Sequence, residues 1–411
     1  MNTAPAVPAT AVTDLLDLES DLSPEELGTR DAVREFVDRR IRPNIAGWYA
    51  DAVFPREIVP EMAALGLLGM HIQGYGCAGK SAVQYGIAMQ ELEAGDSGLR
   101  TFVSVQGSLA MSAIAKHGSE EQKQRWLPGM AAGEIVGCFG LTEPTAGSDP
   151  STMATTAVRD GDEWVLDGAK RWIGLASLAD VAVVWAKVVE ESGPSTLRHA
   201  QGGPGSGTSV RGFLVPTSSA GFTATPIDGK LSMRASVQCD VDLDGVRLPA
   251  DAVLPGASGL SGPFGCLNEA RYGIVWGAMG AARSCFEAAL ERSTEREVFG
   301  KPIGANQLTQ AKLADMMLEL EKGILLALHL GRLKERGALT PAQVSVGKLN
   351  SVREALEIAH QARTILGGDG ITNAFPVMRH AANLESVRTY EGTDEIHQLI
   401  LGRALTGLAA F

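Results

Sequence analysis

Three stretches of the chain combine residue types that could do chemistry. In Thr389-Tyr-Glu-Gly-Thr-Asp-Glu-Ile396, Glu391 stands between an aromatic residue and Gly392, just ahead of a helix start. A carboxylate there is either a proton acceptor or a solvated loop acid. In Cys138-Phe-Gly-Leu-Thr-Glu-Pro-Thr-Ala-Gly-Ser-Asp149, an apolar start opens into Thr, Gly and Ser. That reads as a strand ending in a loop whose N–H groups and hydroxyls could meet a polar ring or a phosphate. Arg296-Glu-Val-Phe-Gly300 with Gln307, and Leu366-Gly-Gly-Asp-Gly370 ahead of the Glu391 stretch, complete the set; each alone is weak, since glycine-rich loops are common.

Two further patterns do not hold up. Gly74-Tyr-Gly-Cys-Ala-Gly79-Lys80-Ser81 fits both GxxxxGK[ST] and GxGxxG. Only Met70, His71 and Ile72 are available for a preceding strand, and the parallel sheet that either motif requires is missing. It reads as a turn between helices. Glu357/His360 and Asp394/His397, with Glu287 and Glu319, imitate a di-iron set. Glu357 and His360, however, fall one residue off the apolar stripe Leu349/Val352/Leu356/Ala359. Both histidines are read as surface or capping residues, and no metal is expected.

The elements that must position these residues divide the chain into a multidomain α+β arrangement. Residues 1–135 read as a helical domain, with capping boxes at Ser23–Glu26 and Ser119–Gln122 and helical runs at 82–94 and 105–117. Residues 136–250 read as a β-domain, with strand spacing at Trp164, Leu166 and Trp172, a Val-rich run at 180–188, and strands near 210–216, 221–227 and 236–243. Its Gly/Ser/Pro-rich insertion at 191–209 reads as a mobile hairpin tip. Residues 251–411 read as a four-helix bundle: Val275/Met279/Ala282/Phe286/Leu290, Leu313/Met317/Leu320/Ile324/Leu328, a helix from Thr340-Pro341, and 394–408.

Composition narrows the function. The net charge of −12 disfavours phosphate backbones, so nucleic acid is not an expected partner. Five scattered cysteines without a CxxC give neither a disulfide framework nor a zinc site, and point to a reducing compartment. The opening MNTAPAVPATAV lacks a signal-peptide pattern, and no run approaches a membrane span, so a cytoplasmic location is expected.

Taken together and in this order, the three stretches resemble the acyl-CoA dehydrogenase family, over about residue 23 to Phe411. Phe264-Gly-Cys-Leu-Asn-Glu-Ala-Arg-Tyr-Gly-Ile-Val-Trp-Gly277, Asp96-Ser-Gly-Leu-Arg100 and Ile400-Leu-Gly-Arg-Ala-Leu-Thr-Gly407 are most similar to its glutaryl-CoA dehydrogenase branch. The resemblance implies an N-terminal α-helical domain, a middle β-domain and a C-terminal four-helix bundle in a homotetramer that binds FAD. Phe139, Leu141, Thr142, Gly147, Ser148, Trp172, Ile173 and Gly174 would contact the flavin. Arg296, Phe299, Gln307, Leu366, Gly367, Gly368 and Gly370 would hold the pyrophosphate and adenine side, partly from a neighbouring subunit. Thr393 and Phe411 would complete the cofactor site.

The resemblance makes Glu391 the base that removes the thioester α-proton, its own N–H helping to hold the thioester oxygen. Arg100 would bind the distal carboxylate of glutaryl-CoA, near Thr101 and Glu93. The alternative for Arg100 is a structural ion pair with Asp96 or Glu93. Ser148, Phe264, Asn268, Arg271 and Gly392 would line the rest of the substrate site. Oxidation, loss of CO2 and reprotonation would give crotonyl-CoA, with electrons leaving to electron transfer flavoprotein. One departure stands out: Trp172-Ile173-Gly174-Leu175 replaces the family's Trp-Ile-Thr-Asn. An acyl-CoA oxidase, or a dehydrogenase that stops before decarboxylation, is therefore the alternative chemistry. A non-catalytic flavin or acyl-CoA binding protein is the alternative of a different class.

Overall fold

The computed structural model describes residues 14–189 and 209–410. The opening stretch MNTAPAVPATAV, the insertion at 191–209 except Ser209, and Phe411 lie outside the described residues.

The N-terminal helices begin where their caps dictate. In α1 (Pro24–Phe36), Ser23 accepts from the Glu26 N–H and the Glu26 carboxylate accepts from the Ser23 N–H. Two short helices follow, α2 (Ile45–Asp51) and α3 (Val59–Ala64). Then comes α4 (Ala82–Gly95), capped by Ser81 through a reciprocal pair with Gln84. Ser81 is thus the end of a turn and the start of a helix, with no strand before it, as the reading of Gly74–Ser81 as a turn requires.

Every residue of α4 from Val83 to Gly95 is buried, including Gln90, Glu91 and Glu93. A helix with no solvent face is an internal one. α5 (Ser97–Val103) follows at once, runs through a π-helical segment at Ser104–Met111, and continues as α6 (Ser112–His117). This helical run begins eight residues earlier than the 105–117 expected from sequence. The last helix of the unit is α7 (Glu120–Ala131), capped by Ser119 and Gln122.

The middle of the chain is a seven-stranded sheet in the order β1-β4-β2-β3-β7-β6, with β5 added on β4. The strands are β1 (Gly137–Gly140), β2 (Thr156–Asp160), β3 (Glu163–Gly174), β4 (Val181–Val189), β5 (Val210–Pro216), β6 (Phe222–Pro226) and β7 (Gln238–Pro249). β1 and β4 pair in parallel, Phe139 opposite Val183. β3 and β7 are antiparallel, with a register break between Lys170 and Ile173. Trp172 lies in that break at φ +63 and is 52% exposed. Such bulges re-aim side chains.

The C-terminal unit opens with α8 (Ser261–Glu295). A two-stranded hairpin of β8 (Glu297–Val298) and β9 (Lys301–Pro302) leads to α9 (Gln307–Glu335), and α10 (Pro341–Leu366) follows, capped by Thr340 and Gln343. The last helices are α11 (Val377–Thr389) and α12 (Asp394–Thr406). The sequence reading placed four helices here and missed α11. Its apolar residues Val377, Ala381, Leu384 and Val387 are interleaved with Arg379, His380 and Asn383, which are buried as well. Buried polar residues erase the amphipathic contrast on which periodicity relies.

α8 lies directly on α4. A Cβ on Gly280 would fall 1.9 Å from the Gln90 carbonyl oxygen, and one on Gly277 would fall 2.1 Å from the Glu93 carboxylate. Only glycine at these positions allows that approach. It brings the Glu93 and Arg100 region against the bundle that carries Glu391.

Candidate active site

The turn after α11 holds Glu391 at φ +56 and Gly392 at φ +101. Left-handed backbone at a non-glycine residue costs about 1–3 kcal/mol and needs neighbours that enforce it. Arg271 Nε on α8 donates to the Glu391 carbonyl at 2.7 Å. Lys348 Nζ on α10 donates to the Tyr390 carbonyl at 2.7 Å and to the Gly392 carbonyl at 2.5 Å. The Glu391 N–H has no acceptor among the described residues. Glu391 Oε2 is buried without a partner. Burial raises the pKa of this carboxyl above its ordinary value, against the opposing pull of Arg100, Lys348 and Arg271. The result is a desolvated carboxylate of raised basicity.

Arg100 on α5 is fully buried. Its Nε donates to Glu93 Oε2 at 2.6 Å, and its Nη2 donates to the Tyr390 hydroxyl. Thr101 Oγ1 lies 3.3 Å from the same hydroxyl. Nη1 of Arg100 is buried and unpartnered, and so is Oε1 of Glu93. The ion pair weighed as the alternative is therefore present, and it leaves one edge of the guanidinium unused. Burial keeps the Tyr390 phenol protonated. The chain of contacts runs Glu93, Arg100, Tyr390, Glu391.

Asn268 accepts from Arg271 Nη1 at 3.2 Å, and Phe264 is exposed at the start of α8. Asn268 thus joins the Glu391 cluster through Arg271. Ser148 belongs to a different feature. The loop after β1 carries buried Leu141 and exposed Thr145, Gly147 and Ser148. It is pinned by a pair the sequence reading missed. Lys170 Nζ reaches Glu143 Oε1 at 2.7 Å, and Glu143 also accepts from the Thr155 N–H and hydroxyl at 3.0 and 2.6 Å. The Thr142 carbonyl accepts from the Arg171 N–H, tying the loop to the bulge that presents Trp172. Gly174 follows, with space for a side chain: a Cβ there would sit 3.4 Å from Val105.

A third feature is at the other end of α8. Arg292 pairs with Asp369, which sets Gly367–Gly370 at the end of α8, just before the hairpin carrying Arg296 and Phe299. Phe299 is 99% exposed at φ +53, and Gln307 is exposed at the start of α9. Leu366 is buried, and a Cβ on Gly370 would meet the Arg363 carbonyl at 2.7 Å. Arg271 and Arg292 are 21 residues apart on one helix, which is about 32 Å at 1.5 Å per residue. One chain does not bring this feature to Glu391. Thr393 caps α12, its hydroxyl accepting from the Ile396 N–H.

The di-iron imitation dissolves. Asp394 is bound by Arg353 and Arg388. His397, expected as a surface or capping residue, is buried against Ser345, and burial pushes its pKa down to about 3. His360 is exposed. No group of three or more metal-ligating side chains occurs among the described residues. Among those residues, no helix is long and apolar enough to cross a membrane.

Lys348 was missed although a signal existed. Ser345, Lys348, Val352, Ala355, Ala359 and Ala362 form the buried stripe of α10. A lysine on an apolar face is the anomaly that marks it.

The helical, β and helical units around a buried, unpartnered carboxylate agree with comparison to known proteins. The acyl-CoA dehydrogenase N-terminal domain matches residues 23–134, the middle domain residues 138–246 and the C-terminal domain residues 258–406. The chain belongs to the acyl-CoA dehydrogenase family. It is 36% identical over 371 residues to the human mitochondrial short-chain specific acyl-CoA dehydrogenase, covering 90% of this chain and 87% of that one. Glutaryl-CoA dehydrogenase from Mycobacterium smegmatis superposes with a TM-score of 0.91 at 59% identity, covering 97% of this chain and 99% of that one. A glutaryl-CoA dehydrogenase structure from Mycobacterium smegmatis in complex with FADH2 gives 0.92 at 55% identity, covering 98% and 99%.

Proposed function

We propose that this enzyme uses FAD to oxidise and decarboxylate glutaryl-CoA to crotonyl-CoA and CO2, with Glu391 as the base. The observation that carries the reading is the buried guanidinium of Arg100. It is joined to Tyr390, the residue before Glu391, with one nitrogen left for a ligand. An acyl chain ending in a carboxylate would satisfy that nitrogen, and one ending in a methyl group would leave it unpaired.

The residues fit the cofactor. Trp172 is 52% exposed at a bulge of the sheet, Thr145 and Ser148 are exposed on the loop bonded to that bulge through the Thr142 carbonyl, and Glu143 with Lys170 pins that loop. FAD, when bound, supplies the acceptor for the β-hydride. Arg296, Phe299, Gln307 and Gly367–Gly370 lie too far along α8 to serve the same chain's Glu391 cluster. They are assigned to the cofactor of a second subunit, in keeping with a homotetramer.

Glu391 takes the thioester α-proton while its own N–H holds the oxygen that gains charge. Arg100 fixes the far end of the chain, so that the α- and β-carbons are presented in one register. After oxidation the γ-carboxylate is vinylogous to the thioester. Its loss as CO2 leaves a dienolate, and protonated Glu391 returns a proton to give crotonyl-CoA. Electron transfer flavoprotein is the proposed oxidant of the reduced enzyme.

Anaerobic titration of the FAD-loaded protein with glutaryl-CoA and with butyryl-CoA, followed by product mass analysis, tests this. Bleaching of the flavin band by glutaryl-CoA with formation of crotonyl-CoA is expected. A preference for butyryl-CoA would overturn the assignment of Arg100.

A further inference from the structure

We propose that Lys348 is a positioning residue for the base: its ammonium, set between the Tyr390 and Gly392 carbonyls, holds the turn that aims Glu391 at the substrate. The inference rests on the reading of Glu391 as the base.

Lys348 is 2% exposed, on the buried face of α10. Among the described residues its hydrogen bonds go to two carbonyl oxygens, and none goes to a carboxylate. Burying an ammonium on such terms is costly, and an apolar side chain of similar length would fill the same space. What the lysine adds is control of one turn. Three consecutive carbonyls, at Tyr390, Glu391 and Gly392, each accept from a cation: buried Lys348, half-buried Arg271 and Lys348 again. The peptide planes on both sides of Glu391 are thereby fixed, which holds its backbone at φ +56. Lys348 Nζ also lies 6.0 Å from the centre of the Tyr390 ring, whose hydroxyl meets Arg100. One ammonium thus secures both the carboxylate and the partner of the guanidinium.

The charge has a second effect. Glu391 is faced by Arg100 from α5, Arg271 from α8 and Lys348 from α10. The neutral phenols of Tyr390 and Tyr85 stand nearby. On the α12 side, Lys348 meets Asp394 and the neutral His397. Burial pushes the Lys348 pKa down to about 7. On the acid side of that value its charge favours ionised Glu391, and removing it leaves Glu391 with less to favour that form. Its proton affinity must rise.

The test is the pH dependence of anaerobic flavin reduction by saturating glutaryl-CoA in FAD-loaded Lys348→Met, Lys348→Arg and Glu391→Gln. Lys348→Met is expected to bind substrate nearly as wild type does. It should lose roughly 100-fold in limiting reduction rate, the scale of a misplaced reacting group. Its acid limb should move to higher pH. Lys348→Arg keeps a cation and donors, and should return the limb toward its wild-type position. If Lys348→Met does not fold, Lys348→Gln carries the same expectation for the limb. An unchanged rate and limb in the neutral variant overturns the inference. So does equal loss in the Met and Arg variants with the limb unmoved, which would mark a packing role alone. Full activity in Glu391→Gln would instead overturn the base assignment, and this inference with it.

Discussion

Arg100 and Tyr390 meet across the join between α5 and the turn after α11: the guanidinium Nη2 donates to the phenol oxygen, one residue before Glu391. A residue of the N-terminal unit is thereby tied to the proposed base of the C-terminal unit, and in the proposed mechanism specificity and proton abstraction share one contact.

Replacing Arg100 with Met should lower kcat/KM for glutaryl-CoA by roughly 10²–10³-fold, since truncating one member of a buried charge pair costs about 2–5 kcal/mol. Activity on butyryl-CoA should fall much less. The same change strands Glu93 without its cation. The double variant Glu93→Gln/Arg100→Met should therefore melt at a higher temperature than Arg100→Met alone. Steady-state kinetics with the two thioesters and thermal melts check both halves.

Much of this site was legible because its chemistry sits in short runs. Glu391, Arg100 and the loop from Cys138 were found as contiguous segments. The resemblance covers nearly the whole chain, and the three-unit order follows from periodicity alone. Of the two cations that hold the turn, Arg271 was named for the substrate site, but Lys348 was not legible. Lys348 is about forty residues from Glu391 in sequence, and only helix packing brings them together. α11 was hidden by its own buried Arg379, His380 and Asn383, and His397, read as a surface or capping residue, is buried. In each case a polar residue was buried with a partner that the local pattern does not reveal.

Flavin reduction should depend on pH through Glu391. Its pKa is raised by burial despite Arg100, Lys348 and Arg271. The ionised form is the active one, so the rate should fall as pH drops through a value above the ordinary 4.5. A pH series of limiting reduction rates in the absence of oxygen measures it. A limb at or below the ordinary carboxylate value would contradict the desolvated site.

Stability at low pH should follow Glu91. Burial opposes its ionisation, but Arg283 and Arg34, at 2.6 and 2.9 Å, hold its pKa down to about 2. A depressed folded-state pKa adds stability that is complete above the unfolded value near 4.5 and is lost as pH falls toward about 2. Glu91→Gln should lose about 3–5 kcal/mol at neutral pH, because Arg283 is left buried without its carboxylate. Its melting temperature should also vary less than wild type between pH 5 and about 3. Thermal unfolding across that range decides it.

Gly174 bears on reaction with oxygen. A Cβ there would sit 3.4 Å from Val105, so the backbone accepts a Cβ at Gly174, and thermal melts of Gly174→Thr check that the larger side chain is tolerated. Filling that space beside Trp172 narrows access to the reacting face. Hydrogen peroxide formed per turnover in air should be lower in Gly174→Thr than in wild type. Equal peroxide yields would mean that the gap at Gly174 does not govern oxygen access.

The most direct trial of the mechanism is rapid mixing of FAD-loaded wild type and Glu391→Gln with glutaryl-CoA under anaerobic conditions, following the flavin absorbance. The variant should still bind the thioester, while its flavin bleaches about 10²–10⁴-fold more slowly, the range for loss of a positioned general base. Bleaching of Glu391→Gln at the wild-type rate would show that another group removes the proton.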